Sequence, residues 1–383
     1  MEVTANPEAR AGLYLHIPFC RAKCPYCDFY SVTRPPEETS YLAALLAEAK
    51  LWAEFWPEEL PLETLYVGGG TPSLLSPRFY ERLLEGLLPI LPLAPREMTL
   101  EANPEGLRFG YLKALRELGF NRLSIGAQSF SEKGLRALGR RHSPEDTRQA
   151  VEAARQAGFE NLSLDLIFGW PGQDLHDLEE DLSAALALSP EHLSCYELTV
   201  EEGTSFYRLL QEGRLTLPPE DLLVAMHEMI PEILEAHGFG RYEISNYARP
   251  GFTCRHNLLY WHLKPYLGLG PAAASFFQGK HLRNPEDLEG YLRSLGEGRL
   301  PVQVEEVLEE EAALKEALFL GLRLLEGVDL EELSRRFGRD PAQLFASEIS
   351  RLAALGLVHL EGGRLKLTKK GLLLANQVQL HFL

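Results

Sequence analysis

The feature that most constrains this chain is a repeated stop. Gly119-Phe120, Gly158-Phe159 and Gly238-Phe239 each fall between a helical stretch and a strand-like one. Glycine suits the left-handed residue just past a helix end, and the phenylalanine can fold back onto the last turn. Around these stops, Leu13–Ile17, Leu65–Val67, Met98–Leu100, Arg122–Ile125, Leu162–Ile167 and His192–Leu198 read as strands. Tyr41–Phe55 has helical periodicity, and Ser76-Pro77 opens a helix as N-cap plus first-turn proline. A helix after each strand implies a parallel sheet. Six such units before about Val200 predict an α/β fold, an incomplete (β/α)6 TIM-type barrel.

In such barrels chemistry sits where the strands end. Strand one runs into His16–Cys20, strand two into Gly68–Pro72, and strand three into Glu101–Pro104. Strand four runs into Gly126–Phe130, strand five carries Asp165 before Gly169–Gly172, and strand six gives Thr199 before Glu201. Every one of these ends is polar or glycine-rich, so all six are expected to meet at one mouth.

Beyond Val200 the alternation weakens. Pro219–His237 reads as a long helix, Arg241–Gly279 as a mixed, aromatic-rich stretch, and Glu305–Leu325 as an amphipathic helix. Asp329–Phe337 and Asp340–Leu355 read as two more helices. Leu357–Glu361 and Arg364–Thr368 flank Gly362-Gly363, a two-residue hairpin signal. Helices followed by a hairpin predict a smaller C-terminal α+β, winged-helix-like domain. The expected division is a barrel with the cluster loop over 1–200, an extension over 201–300 and the C-terminal domain over 301–383. Gly268–Ala273 loosely matches a dinucleotide fingerprint without its βαβ unit or acidic residue, and reads as a close-packed loop.

Composition narrows the partners. The 383 residues carry a formal net charge of -17, which repels nucleic acid and anionic membranes alike. The helix Pro341–Leu355, in the place of a recognition helix, is mostly apolar and reads as packing or as a lid over the barrel mouth. No apolar run is long enough to span a bilayer. The polar, acidic start Met1–Arg10 lacks the pattern of a secretory signal, so the expected location is cytoplasmic.

Five cysteines are present, and Cys20, Cys24 and Cys27 crowd into eight residues. Cys195 reads as a buried strand residue. Three thiolates in one loop are soft ligands for an iron–sulfur cluster or for zinc. In a cubane they leave one iron without a protein ligand. That iron can chelate the amino and carboxylate groups of S-adenosylmethionine. The alternative is a Cys3His zinc site completed by His16. Gly68-Gly69-Gly70-Thr71 lacks the lysine of a phosphate-binding loop. Its glycines permit close backbone approach to a ligand, which favours the cluster over zinc.

With Tyr14–Cys20, Gly68–Pro72, Ser124–Phe130, Leu138–Arg140 and Asp165–Gly172 in view, the chain resembles the radical S-adenosylmethionine superfamily. Within it, the chain is similar to the branch of oxygen-independent coproporphyrinogen III oxidases and HemW-type heme chaperones, from Leu13 to the C-terminal domain. The resemblance implies that Cys20, Cys24 and Cys27 ligate a [4Fe–4S] cluster. It implies that Tyr14 and the backbone at Tyr26 contact S-adenosylmethionine, and that Gly69, Gly70 and Thr71 pair with its methionyl end. Glu101, Gln128, Arg140 and Asp165 are then expected to line the nucleoside and the pocket beyond it.

Two features separate the branches. The oxidases resemble one another in a further cysteine two residues past the third ligand and in a longer N-terminal arm. Here Asp28-Phe29 follows Cys27, and about a dozen residues precede the first strand. His256–Trp261 instead looks like the HNxxYW motif of the chaperones. Histidine is a common axial ligand to heme iron, so His256 is the candidate heme contact, with Cys254 as a second soft donor. The reading is a heme chaperone that passes heme to acceptor hemoproteins such as those of respiratory chains. The alternatives are the coproporphyrinogen oxidase and, less favoured, a radical methyltransferase.

Overall fold

The computed structural model describes residues 10–383, so residues 1–9 of the polar opening segment lie outside the described residues. Strands and helices alternate as β1 (Ala11–Ile17), α1 (Glu38–Ala53), β2 (Leu62–Gly69), α2 (Pro77–Leu87), β3 (Leu93–Ala102) and α3 (Phe109–Glu117). They continue as β4 (Arg122–Gln128), α4 (Glu132–Ala137), α5 (Pro144–Gln156), β5 (Leu162–Phe168), α6 (Leu175–Ala187), β6 (His192–Glu197) and α7 (Ser205–Gln211). The strands β1 to β6 pair in parallel, each with the next. This is the incomplete (β/α)6 barrel.

The three stops work as their chemistry dictates. Gly119, Gly158 and Gly238 sit at φ of 101°, 89° and 82°. The amides of Phe120, Phe159 and Phe239 donate back to Leu115, Ala154 and Leu234, and all three rings are buried. Along each strand, side chains point alternately to opposite faces. Leu13, Leu15, Leu65, Val67, Leu100, Leu123, Ile125, Leu162 and Leu164 join the main core beneath the helices. Their alternates Tyr66, Glu101, Ser124, Asp165 and Ser194 face a cavity. The barrel interior is therefore polar.

The sheet does not end at six strands. It continues through α8 (Glu220–Ala236) into β7 (Gly240–Arg241) and β8 (Asn246–Ala248), with β8 antiparallel to β6. After α9 (Arg255–Trp261), β9 (Tyr266–Leu269) lies parallel to β1 on its free side. β10 (Ala274–Phe277) and β11 (Lys280–Arg283) follow, then α10 (Leu288–Gly296) and the edge strand β12 (Gln303–Val307). The result is one mixed twelve-stranded sheet in linear order, with no ladder joining β6 to β1 among the described residues.

Two expectations need correction. The stretch expected to be a close-packed loop begins within β9. Gly268 is needed there because a side chain would overlap the Ala274 carbonyl oxygen. The helix expected from Glu305 starts later, as α11 (Glu310–Gly321), because Glu305–Val307 belong to β12. Pairing with β11 overrides the helix preference of a glutamate-rich segment.

The C-terminal domain contains β13 (Val328–Asp329), α12 (Leu330–Phe337), α13 (Pro341–Leu344), α14 (Ala346–Ala354), β14 (Val358–Glu361) and β15 (Arg364–Leu367). Its three strands form a small antiparallel sheet beside the helices, a winged-helix-like arrangement. A second apolar core built on Leu314, Leu318, Leu352 and Leu365 also takes in Leu263 and Phe276. Arg323 reinforces the seam, stacking on Trp261 at 4.4 Å and pairing with the buried Glu243 at 3.2 Å. No helix among the described residues is long and apolar enough to cross a membrane.

Candidate cluster and cofactor site

The cysteine loop is clipped at both ends. Cys20 N–H donates to Val32 O, and Val32 N–H donates to Pro18 O. Phe206 N–H from α7 donates to Pro25 O, and Gly139, at φ 66°, lies so close to Pro25 that a side chain would not fit. Cys20, Cys24 and Cys27 are free and half-buried. Cys20 Sγ lies 3.4 Å from Thr71 Oγ1, and Arg140 Nη1 donates to Cys24 Sγ at 3.4 Å. Burial pushes the Cys27 thiol up, and the proximity of Cys24 and Cys20 adds to it.

His16 does not complete a zinc site. Its ring is buried, one nitrogen meeting Tyr14 Oη at 3.1 Å and the other Tyr30 O at 2.9 Å. Burial lowers its pKa to about 4. Among the described residues, no three His, Cys, Asp or Glu side chains gather closely enough for a single ion. The irons of a cubane sit at separate corners, which spaced thiolates can reach.

The thiols form one bank of a cavity of about 520 Å³. The strand ends form its walls. Glu101 accepts from Tyr66 Oη at 2.7 Å and from Gly69 N–H at 3.3 Å. Burial raises its pKa to about 7, with the charge of Asp165 adding to the shift. Burial also raises Asp165, against the hydroxyls of Ser194, Ser124 and Ser163 and the charge of Arg122. Gln128 ends β4 at φ 63°, where a register shift interrupts the β4–β5 ladder. A non-glycine residue held there stores strain, a frequent mark of ligand sites. Arg140 spans the wall, its Nη2 donating to Asn103 Oδ1 at 2.5 Å and to Gly126 O at 3.3 Å.

Of the residues picked from sequence, Cys20, Cys24, Cys27, Tyr26, Gly69, Gly70, Thr71, Glu101, Gln128, Arg140 and Asp165 share this cavity, as does Thr199. The N–H groups of Gly70 and Thr71 are already used, donating to Ile17 O and Phe19 O. Thr71 O in turn accepts from Leu74 N–H, and Thr71 Oγ1 accepts from Asn103 Nδ2 at 3.2 Å. Tyr14 lies outside the lining, its ring 6.3 Å from that of Tyr66.

His256 stands apart from the expected open heme contact. It is 1% exposed, with Nδ1 at 2.7 Å from Thr64 Oγ1 and Nε2 at 2.8 Å from Tyr260 Oη. Its ring stacks on Tyr66 at 5.1 Å. Cys254 is fully buried beside Glu97, and burial pushes its thiol up to about 12. Both nitrogens of His256 are engaged, and Cys254 is buried out of reach of solvent. The motif instead closes the cavity: Arg255 and His256 N–H both donate to Glu97, and Asn257 joins the lining. Sequence reasoning missed Tyr66, Arg122, Ser194 and Asn257. For the first three, the signal was alternation along strands already recognised.

Residues 14–185 match the model of the radical SAM superfamily, and residues 308–374 match that of the HemN C-terminal domain. The chain is 40% identical over 370 residues to the heme chaperone HemW of Bacillus subtilis, covering 95% of this chain and 97% of that protein. It is 38% identical over 301 residues to the Escherichia coli heme chaperone HemW, covering 73% and 78%. Its fold superposes on that of E. coli coproporphyrinogen III oxidase HemN with a TM-score of 0.84 at 24% identity, over 98% of this chain and 91% of that one.

Proposed function

The chain belongs to the HemW heme-chaperone family of the radical SAM superfamily, and from that premise we propose that it binds a [4Fe–4S] cluster, S-adenosylmethionine and heme, and passes heme to acceptor hemoproteins such as respiratory-chain proteins. The observation that carries this reading is one cavity, with three free thiols on one bank and Glu101, Gln128 and Asp165 on the other.

The donor set fits both groups that the fold implies. Cys20, Cys24 and Cys27 would hold the cluster, and three ligands leave one iron for the amino acid end of S-adenosylmethionine. When bound, the cluster supplies an electron that can break a carbon–sulfur bond of the sulfonium. The chain's own residues bind and orient. Glu101, poised near neutrality, accepts hydroxyl hydrogen bonds once ionised. Asp165, set among three serines, offers a second acceptor. Arg140 ties the loop at Cys24 to the wall at Asn103. Free thiols belong in a reducing compartment, and we take this to be the cytoplasm.

Asp28-Phe29 after Cys27 argues for carriage over porphyrinogen decarboxylation. The test uses the full chain, reconstituted anaerobically with iron and sulfide. Hemin titration is expected to give a saturable Soret shift, and Cys24→Ala is expected to lose the cluster's visible absorption. Anaerobic turnover of coproporphyrinogen III to a decarboxylated product would overturn the proposal in favour of an oxidase.

A further inference from the structure

Cys20 and Cys24 are joined by a path of hydrogen bonds that leaves the cysteine loop and returns to it. From Cys20 Sγ it runs 3.4 Å to Thr71 Oγ1, just past β2. Asn103 Nδ2, just past β3, donates to that hydroxyl at 3.2 Å. Arg140 Nη2, beyond α4, donates to Asn103 Oδ1 at 2.5 Å, and Nη1 of the same guanidinium donates to Cys24 Sγ at 3.4 Å. All five residues line the cavity. Close approach is built into the loop after β2. A Cβ on Gly70 would lie 3.0 Å from Cys20 Sγ, and nearer still to the carbonyl oxygens of Phe19 and Ile17.

The path has a direction. Guanidinium nitrogens only donate, so the Asn103 amide turns its oxygen to Arg140 and its NH2 group to Thr71. A cysteine that ligates a metal is a thiolate with no hydrogen to give. The Thr71 hydroxyl, accepting from Asn103, then has its one hydrogen for Cys20 Sγ. Each end of the path thus gives one hydrogen bond to a ligand sulfur, and Arg140 brings a permanent positive charge to Cys24. Hydrogen bonds to its sulfurs are among the determinants of a cluster's reduction potential. By drawing off negative charge they favour the reduced form.

We propose that Asn103 is a positioning residue that holds Thr71 and Arg140 as paired donors to Cys20 and Cys24, and so raises the reduction potential of the cluster those cysteines hold. This rests on the cluster reading and adds a residue that touches neither sulfur. An amide suits the place because it accepts from a guanidinium at one end and donates to a hydroxyl at the other.

The test uses the full chain reconstituted anaerobically with iron and sulfide, without S-adenosylmethionine. A mediated reductive titration, read by electron paramagnetic resonance, gives the cluster's midpoint potential. Asn103→Leu keeps the volume and charge but removes both bonds. Its midpoint is expected to fall by about tenfold in the one-electron equilibrium, or ~59 mV. Thr71→Val is expected to reproduce part of that fall, and Thr71→Ser to keep the wild-type value. A wild-type midpoint in either Asn103→Leu or Thr71→Val, at full iron content, would overturn the proposal while leaving the cluster reading in place. If Asn103→Leu does not melt cooperatively before loading, the two Thr71 variants decide in the same way. If the wild type takes up no cluster, both readings fall.

Discussion

Burial lifts Glu101 to about 7 because its carboxylate loses water while facing the charge of Asp165, and one tyrosine hydroxyl offsets only part of that. The ionised fraction therefore rises with pH across neutrality. S-adenosylmethionine affinity is expected to increase from pH 6 to pH 8, and Glu101→Gln should flatten the profile, as measured by anaerobic calorimetry. Gln128 gives a second test. Relief of its left-handed backbone by Gln128→Gly should raise the melting temperature of the ligand-free protein, a gain of about 1 kcal/mol. Ligand affinity should fall in the same variant, since the amide is lost from the wall. At this scale the sequence was readable wherever a residue sat at a strand end beside glycine. His256 was recognisable by motif, yet its burial was not, because its partner Thr64 lies 192 positions away.

Elements defined by local chemistry were visible in the sequence, and elements defined by a distant neighbour were not. The glycine–phenylalanine stops need only one helix turn and its exit. β9 exists because β1 has a free edge, which nothing within Tyr266–Leu269 announces. Contacts on both strands depend on missing side chains. A methyl on Gly12 would meet Thr64 Oγ1 at 2.6 Å and His256 Nδ1 at 2.8 Å. Overpacking of this kind costs about 1–3 kcal/mol. Gly12→Ala should lower the urea midpoint accordingly, and Gly268→Ala should do more, since it strikes backbone. An unchanged midpoint in Gly268→Ala would refute the placement of β9. β12 was misread because alternation over five residues is weak beside a long helical pattern.

Across the whole molecule, buried charges join parts that the sequence shows as separate. Glu48 on α1 is fully buried and accepts from Gly270 N–H, Asn284 Nδ2 and Tyr291 Oη, fastening the first helix to the sheet extension. Burial raises it to about 7 against those hydrogen bonds. A raised acid favours folding below its unfolded pKa, and that contribution is lost as pH climbs through the folded one. Relative to wild type, Glu48→Gln should therefore gain stability from pH 4.5 to pH 8, by up to about 3 kcal/mol in denaturant titrations. Arg323→Ala should be destabilising throughout, by about 3 kcal/mol, because it strands the buried Glu243 at the C-terminal seam. The linear strand order carries a mechanical consequence. With no backbone bonds shared between β6 and β1, the wall is a C-shaped spring whose lips can part without breaking any ladder. Parting the lips would widen the cavity while every strand of the sheet keeps its paired neighbours.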